Sequence, residues 1–221
     1  MKAKAVLFDL DGTLLDTIED LSDSMNEVLL ELGFPEHDIP SYKLFVGEGI
    51  DSLAYRVLPK DARDKATTEK CVTMMREEYK KRWSKKTRPY EGIPELLRYL
   101  KNLGIPMAVL SNKPDDFTIL NIKKFLFEFR FEHVLGAQPG LPKKPDPRGA
   151  LDISNRLKIQ PQAFLYLGDT GTDMKTAVAA GMVPVGVLWG FRFREELQEN
   201  GAKVLISHPE DLIALLAAHE L

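Results

Sequence analysis

Ala5-Val6-Leu7-Phe8-Asp9-Leu10-Asp11-Gly12-Thr13 is the stretch on which the fold turns. An apolar run of strand-forming residues ends on two aspartates two positions apart and then turns at a glycine. In an α/β protein, ligands sit outside the carboxyl ends of buried parallel strands. A strand over about residues 4–8 therefore delivers Asp9 to an active-site position. Two carboxylates there can hold a hard cation, attack phosphorus or shuttle a proton. The plainer alternative is an N-terminal strand followed by an acidic turn.

Downstream the pattern changes to helices. Ile18, Leu21, Met25, Val28, Leu29 and Leu32 recur at helical spacing. Asp16 and Glu19 read as a capping box at the start, and Gly33 with Pro35 as the stop. A second helical pattern runs from Ile50 through Leu53, Ala54 and Val57 to Leu58-Pro59. A third, over about 62–83, carries Val72, Met75, Tyr79 and Trp83 on one face. No strand is expected between about 15 and 85. From Pro89 onward strands and helices alternate. Strands are expected at 106–110, 132–136, 163–167 and 183–188, and a last helix at 209–218. Repeated strand–helix units imply an α/β fold with a parallel sheet covered on both faces. The reading is a discontinuous core, residues 1–14 and 89–221, with an all-helical cap, residues 15–88, inserted after the first strand. A single α/β domain with a long helical crossover is the alternative.

The chain has 221 residues, 44% hydrophobic, and a net charge of −3. With no basic excess, a nucleic-acid partner is not expected. The densest basic run, Lys80, Lys81, Arg82, Lys85, Lys86 and Arg88, follows Glu77 and Glu78 and reads as a solvated helix face. No apolar stretch approaches the roughly 20 residues that span a bilayer. The run after Lys2 and Lys4 is cut short by Asp9, so no secretory signal is read and a cytoplasmic location is expected. Cys71 is the single cysteine, among Val72, Met74 and Met75, and reads as a buried inert thiol. The histidines at 37, 133, 208 and 219 show no metal-ligand or triad spacing.

Three of the expected strands end in residues that chemistry uses: Asp9, then Ser111-Asn112, then Gly168-Asp169 with Asp173 four positions later. Parallel neighbours bring such ends to one edge. Lys143-Lys144-Pro145-Asp146-Pro147 adds cations on a stiffened loop. Each piece has a structural alternative: Ser111 as a helix cap, Gly168–Gly171 as a turn, Asp173 as a helix-dipole partner, Lys144 as a solvated loop residue. Together, the carboxylates would repel one another without a counter-ion, and all-oxygen donors suit Mg²⁺.

With these residues in place the chain resembles the haloacid dehalogenase superfamily of phosphohydrolases over its whole length. Asp9-Leu10-Asp11-Gly12-Thr13 is similar to the first family motif, Ser111 to the second, Lys144 with Pro145 and Pro147 to the third, and Gly168-Asp169 with Asp173 to the fourth. Serine stands at the second motif where threonine is more common, and the hydroxyl is kept. Phe45-Val46-Gly47-Glu48-Gly49, Arg88-Pro89-Tyr90-Glu91-Gly92 and Leu110-Ser111-Asn112-Lys113-Pro114 resemble the phosphoglycolate phosphatase-like branch. The resemblance implies a Rossmann-like core with a helical cap, and a Mg²⁺-dependent phosphatase for a small phosphorylated metabolite, 2-phosphoglycolate first.

What the resemblance implies for each residue is specific. Asp9 is the nucleophile that forms an aspartyl-phosphate. Asp11 protonates the leaving alkoxide and then activates water, and its backbone carbonyl binds metal. Asp9 and Asp169 complete the metal site. Ser111, Asn112 and Lys144 bind phosphate oxygens. Asp173 orients metal-bound water or Lys144. Gly47 and Gly49, without the third glycine or preceding strand of a dinucleotide loop, form a tight turn at a helix start whose N–H groups can take a substrate carboxylate. Arg56 is a further candidate for that carboxylate or a plain surface residue. A sugar-phosphate phosphatase, phosphoglucomutase or pyrophosphatase on the same framework is the second enzyme reading. Dehalogenation is disfavoured by Asp11. An interaction protein on a retired phosphatase fold is the non-enzymatic reading, and it would require a lost catalytic group. A monomer or homodimer is expected, with no membrane partner.

Overall fold

Side chains alternate along a strand, so the first strand must be buried on two faces. In the computed structural model, which describes residues 3–218, Val6 and Phe8 enter one core and Ala5 and Leu7 another, all fully buried. That strand is β1 (Ala5–Phe8). The chain continues through β2 (Leu15–Asp16) and four helices, α1 (Ile18–Leu32), α2 (Ile39–Phe45), α3 (Ile50–Val57) and α4 (Lys65–Arg82). It returns through β3 (Arg88–Pro89) and then alternates: α5 (Ile93–Asn102), β4 (Met107–Pro114), α6 (Asp115–Phe125), β5 (His133–Ala137), α7 (Arg148–Leu157) and β6 (Phe164–Gly168). The last elements are α8 (Gly171–Ala180), β7 (Val183–Val187), α9 (Arg194–Glu199), β8 (Val204–Ile206) and α10 (Pro209–Ala217). His219 lies outside the described residues.

Six strands form one parallel sheet in the order β5-β4-β1-β6-β7-β8. The chain builds outward from β1 to β5, then returns to the other flank of β1 with β6. Strand order therefore reverses at β1, and a crevice opens at the carboxyl ends beside it. Leu96 and Leu100 of α5 and Leu212 of α10 pack with Val6 and Phe8 on one face. Ala150 and Ile153 of α7 and Ala177 of α8 pack with Ala5 and Leu7 on the other. Among the described residues no helix is long and apolar enough to cross a membrane.

Helices α1–α4 have a core of their own, with Met25, Leu29, Tyr42, Leu53 and Met75 buried in it. Phe117 and Phe191 reach into it from the sheet portion of the chain. Cys71 sits in this core, and burial pushes its thiol up to about 11, which keeps it unreactive at neutral pH. The basic run is ion-paired along the surface, Lys80 to Glu77, Arg82 to Glu27 and Lys86 to Asp23.

Four sequence expectations need correction. Asp16 and Glu19 do not form a capping box: Thr17 is the N-cap of α1 and makes no side-chain cap bond. Asp16 instead sits in an antiparallel pair with Arg88, and its carboxylate meets that guanidinium at 3.2 Å. This short ladder, Leu15–Asp16 on Arg88–Pro89, places a strand where none was expected. Helix α2 was not anticipated either, although Asp38 caps it by accepting from Ser41 N–H (2.9 Å) and Pro40 follows, both start signals. Finally, β4 does not stop before Ser111 but runs on to Pro114, with its register against β5 broken between Leu110 and Pro114.

The two chain crossings into and out of the helices are tied by one buried carboxylate. Asp20, in the first turn of α1, accepts from Lys86 N–H (3.0 Å to each oxygen), Thr87 N–H (2.9 Å) and Thr87 Oγ1 (2.7 Å). Asp20→Ala strands those donors, and urea unfolding should show a loss on the order of 2–4 kcal/mol. An unchanged midpoint would show that Asp20 does not hold the linkers.

Candidate active site

Burial forces the polar groups at the sheet's carboxyl edge to satisfy one another. Asp9, just past β1, is 4% exposed, and its Oδ1 accepts from Leu10 N–H (2.7 Å) and Lys144 Nζ (2.8 Å). Asp169, just past β6, is fully buried; Phe191 N–H donates to its Oδ2 (2.9 Å) and Thr13 Oγ1 to its Oδ1 (3.2 Å). Asp173 lies in the first turn of α8. Its Oδ2 closes a capping box with Thr170, and its Oδ1 takes Lys144 Nζ at 2.7 Å. Carboxylate oxygens of Asp9, Asp169 and Asp173 all lie within 4.8 Å of one another.

Glycines make this density possible. At Gly12, with φ of +85°, a Cβ would stand 2.3 Å from Asp169 Oδ2. At Gly168 it would stand 2.2 Å from Asp173 Cβ. No side chain fits at either position.

The charge balance is uneven. Burial, then the Asp173 charge, pushes the Asp9 carboxyl up to about 7 against the opposing pull of Lys144. Burial, then Asp173 and Asp9, holds the Asp169 carboxyl well above the usual range. Burial works against the Lys144 ammonium, but Asp173 and Asp9 outweigh it and hold its pKa well above the ordinary lysine value. One ammonium thus serves a cluster of three carboxylates. This surplus of buried negative oxygen is what a hard divalent cation relieves.

The other expected residues fall around this centre. Asp11 turns its carboxylate away from the cluster toward Lys113, at 3.0 Å, so the third clustered carboxylate is that of Asp173. Ser111 is 4% exposed, and its Oγ accepts from Lys113 N–H (3.2 Å). The Asn112 amide grips Lys144 on both backbone groups, accepting from its N–H (2.8 Å) and donating to its carbonyl (3.1 Å). The same amide donates to Gly47 O at 3.1 Å. Gly47 and Gly49 line a cavity with Asp9, Asp11 and Ser111, with about 570 Å³ of empty space, part of it open to solvent. Val46, Ile50, Leu53 and Met75 form its helical wall. Arg56 does not line it. Its guanidinium pairs with Glu48 at 2.5 Å and donates to Phe45 O, bracing the loop from behind.

Three participants were not read from the sequence. Lys113 is buried, with its Nζ on Asp11 and 2.8 Å from Tyr79 Oη of α4. Burial opposes its charge, yet Asp11 and Tyr79 raise its pKa above the ordinary lysine value. Its signal was its place, two positions after Ser111 in the same strand. Tyr79 looked like a core residue of its helix. Arg192 carried no motif.

A parallel sheet with a helical insertion after its first strand carries three clustered aspartates at its carboxyl edge, beside a cavity with a largely apolar wall, an α/β enzyme arrangement whose buried carboxylates suit phosphoric monoester hydrolysis. The family model described as haloacid dehalogenase-like hydrolase matches residues 6–187, and the chain belongs to that family. A phosphoglycolate phosphatase of Aquifex aeolicus is 31% identical over 221 residues, covering 98% of each chain. One from Pseudomonas putida is 31% identical, covering 96% of this chain and 78% of the relative. A solved structure from Lactobacillus delbrueckii subsp. bulgaricus superposes with a TM-score of 0.91 at 27% identity, covering 98% of this chain and 99% of that one. The expected superfamily, fold and enzyme class are therefore all found, and the non-enzymatic reading is set aside.

The raised Asp9 carboxyl has a consequence for stability. A carboxyl with a folded pKa above its unfolded value binds more protons when folded, so it lowers stability as pH rises from about 4 to about 7. In chelator, Asp9→Asn should therefore melt higher than wild type at pH 8, by roughly 3 °C or more, with the gap closing toward pH 4. A variant less stable at pH 8 would refute this electrostatic account.

Proposed function

We propose that the protein hydrolyses 2-phosphoglycolate with Mg²⁺ through an aspartyl-phosphate on Asp9. The observation that carries this reading is the buried cluster of Asp9, Asp169 and Asp173 around Lys144, opening on a small cavity closed by the Gly47–Gly49 loop. Relatives matching nearly the whole chain carry the phosphoglycolate phosphatase name. The donor set fits Mg²⁺: it is all oxygen, buried and short of positive charge. Asp9, Asp169 and the Asp11 carbonyl would hold the ion. When bound, it screens the nucleophile from the phosphate's negative charge and polarises a phosphate oxygen.

In this mechanism an Asp9 carboxylate oxygen attacks phosphorus, and the bond to the glycolate oxygen breaks. Asp11 gives its proton to that leaving oxygen, then takes one from water as water attacks the acyl phosphate, releasing inorganic phosphate and restoring Asp9. Ser111 and Lys144 bind the equatorial oxygens, where charge redistributes. Asn112 holds the Lys144 backbone, and Asp173 holds its ammonium. Lys113 keeps Asp11 oriented toward the cavity. The helical unit, residues 15–88, acts as the cap that excludes water. With Val46, Ile50, Leu53 and Met75 as its wall, the cavity leaves the backbone of the Gly47–Gly49 loop as the cap-side polar partner for the leaving group's carboxylate. A lone buried thiol and a small metabolite substrate fit a cytoplasmic enzyme.

Ranking small esters by kcat/KM with Mg²⁺ tests the reading. 2-Phosphoglycolate should exceed hexose phosphates, glycerol phosphate and pyrophosphate by about tenfold or more. A sugar phosphate or pyrophosphate ranking first would replace the substrate assignment. Asp9→Asn should lose at least ~10³-fold in kcat while staying folded, and EDTA should abolish turnover until Mg²⁺ is restored. Steady turnover by Asp9→Asn, or in excess chelator, would contradict the mechanism.

A further inference from the structure

The turn after β7, Trp189–Arg192, touches both halves of the site. Gly190 is so close to the metal-side aspartate that a Cβ there would lie 2.2 Å from Asp169 Cβ and 2.4 Å from Gly12 O. Phe191 N–H donates to Asp169 Oδ2, while its side chain is buried in the core of the helical unit. Arg192 comes next. Its Nη2 donates to the carbonyls of Leu44 (3.0 Å) and Val46 (2.9 Å), at the C-terminal end of α2. Its Nε pairs with Glu196 Oε2 at 3.1 Å. Glu196 Oε1 in turn accepts from Gly171 N–H (2.9 Å), which follows directly on Asp169 and Thr170.

We propose that Arg192 is a positioning residue that locks the Val46–Gly49 loop over the reacting carboxylates and so sets selectivity for a small leaving group. The proposal rests on the phosphatase reading above. A cation at the carbonyl end of a helix is favourable, and a charge-assisted bond to a carbonyl is stronger than a neutral one. The Arg192 side chain is only 9% exposed, so little water competes for these bonds. Its Nη1 is buried and has no hydrogen-bond partner among the described residues. The guanidinium is therefore held where the two cap carbonyls are, at the cost of leaving one of its own nitrogens unsatisfied.

Displacement of this clasp frees the loop without unseating Lys144. Val46 adjoins Gly47, and among the described residues Gly47 O is held from the sheet by Asn112 alone, whose two bonds to the Lys144 backbone do not pass through the loop. The loop lies close to the core: a Cβ on Gly47 would meet Thr170 Cγ2 at 3.3 Å and Arg192 Nη2 at 3.9 Å. A free loop would leave the small cavity open on the side where a leaving group must be judged.

The test is Arg192→Met, which keeps length and apolar packing but removes the donors, beside Arg192→Lys, which keeps a cation able to reach one carbonyl. Amide hydrogen exchange over residues 45–49 should rise about tenfold in Arg192→Met, with β6 unchanged. In the same variant kcat/KM for 2-phosphoglycolate should fall ~10–100-fold, mainly through KM, while p-nitrophenyl phosphate, an aryl ester needing little cap contact, changes less than about threefold. Arg192→Lys should recover part of both effects. Unchanged exchange over 45–49, or equal losses on the two esters, overturns the proposal. If Arg192→Met does not fold, exchange in Arg192→Lys decides alone: faster over 45–49 supports the clasp, unchanged overturns it. If wild type does not hydrolyse 2-phosphoglycolate, the substrate assignment fails separately and the exchange result still judges the clasp.

Discussion

Three aspartates buried around one ammonium are the constraint that the rest of the structure answers. Asp9 and Asp173 share Lys144, and Asp169 stands beside them with no cation of its own within salt-bridge reach among the described residues. Carboxylates out of water are costly unless every oxygen finds a donor. Beside the side chains of Lys144, Thr13 and Thr170, the backbone supplies donors: Leu10, Thr170 and Phe191 each give an N–H to one of the three. Those bonds require the chain to pass very close to the carboxylates, and glycine at 12, 168 and 190 allows it. The same arrangement that burdens the folded protein is the one the proposed function uses to take up a divalent cation and a phosphate. Stability and function are opposed at this site, as preorganised charge usually makes them.

The helices inserted after β1 solve a second problem. A crevice at the carboxyl edge of an open sheet is exposed to water, and the proposed acyl phosphate would be short-lived there. Helices α1–α4 form a body with its own core and return the chain beside its point of departure through the β2–β3 pair and Asp20. Its contacts with the sheet portion are both polar and apolar: Asn112 to Gly47, Lys113 to Tyr79, Arg76 to Asp116 and Arg192 to Leu44 and Val46, beside the packing of Tyr79 on Phe117 and of Trp83 on Phe125. The polar ones can be broken and remade at modest cost, which suits the proposed cap. Phe117 and Phe191, apolar groups from the sheet side, are buried in the helical core.

Some of these features were legible in the chain and some were not. The alternation of apolar and polar segments after residue 89 gave the sheet because a strand buried on two faces must be apolar at nearly every position. Asp9, Asp169 and Asp173 were legible because each follows a strand or opens a helix, and Ser111 and Lys144 because of the motifs around them, Ser111 lying inside β4 and Lys144 in the loop before α7. The Asp16 cap was misread because a local pattern competes with pairing to a segment some seventy positions away. Helix α2 was overlooked between stronger neighbours, though its Asp38 and Pro40 signals were present.

The sequence by itself determined the sheet, the helical insertion and the set of carboxylates, because these depend on periodicity and on residue types at element ends. Only the tertiary structure decided which groups meet. That Asp11 faces Lys113, that Asn112 holds both Gly47 and Lys144, and that Arg192 crosses to Leu44 and Val46 are all contacts between distant parts of the chain. Local spacing carries no record of them. Such contacts arise from the approach of two separately formed surfaces, and the residues that make them need only the right charge and reach once those surfaces are in place.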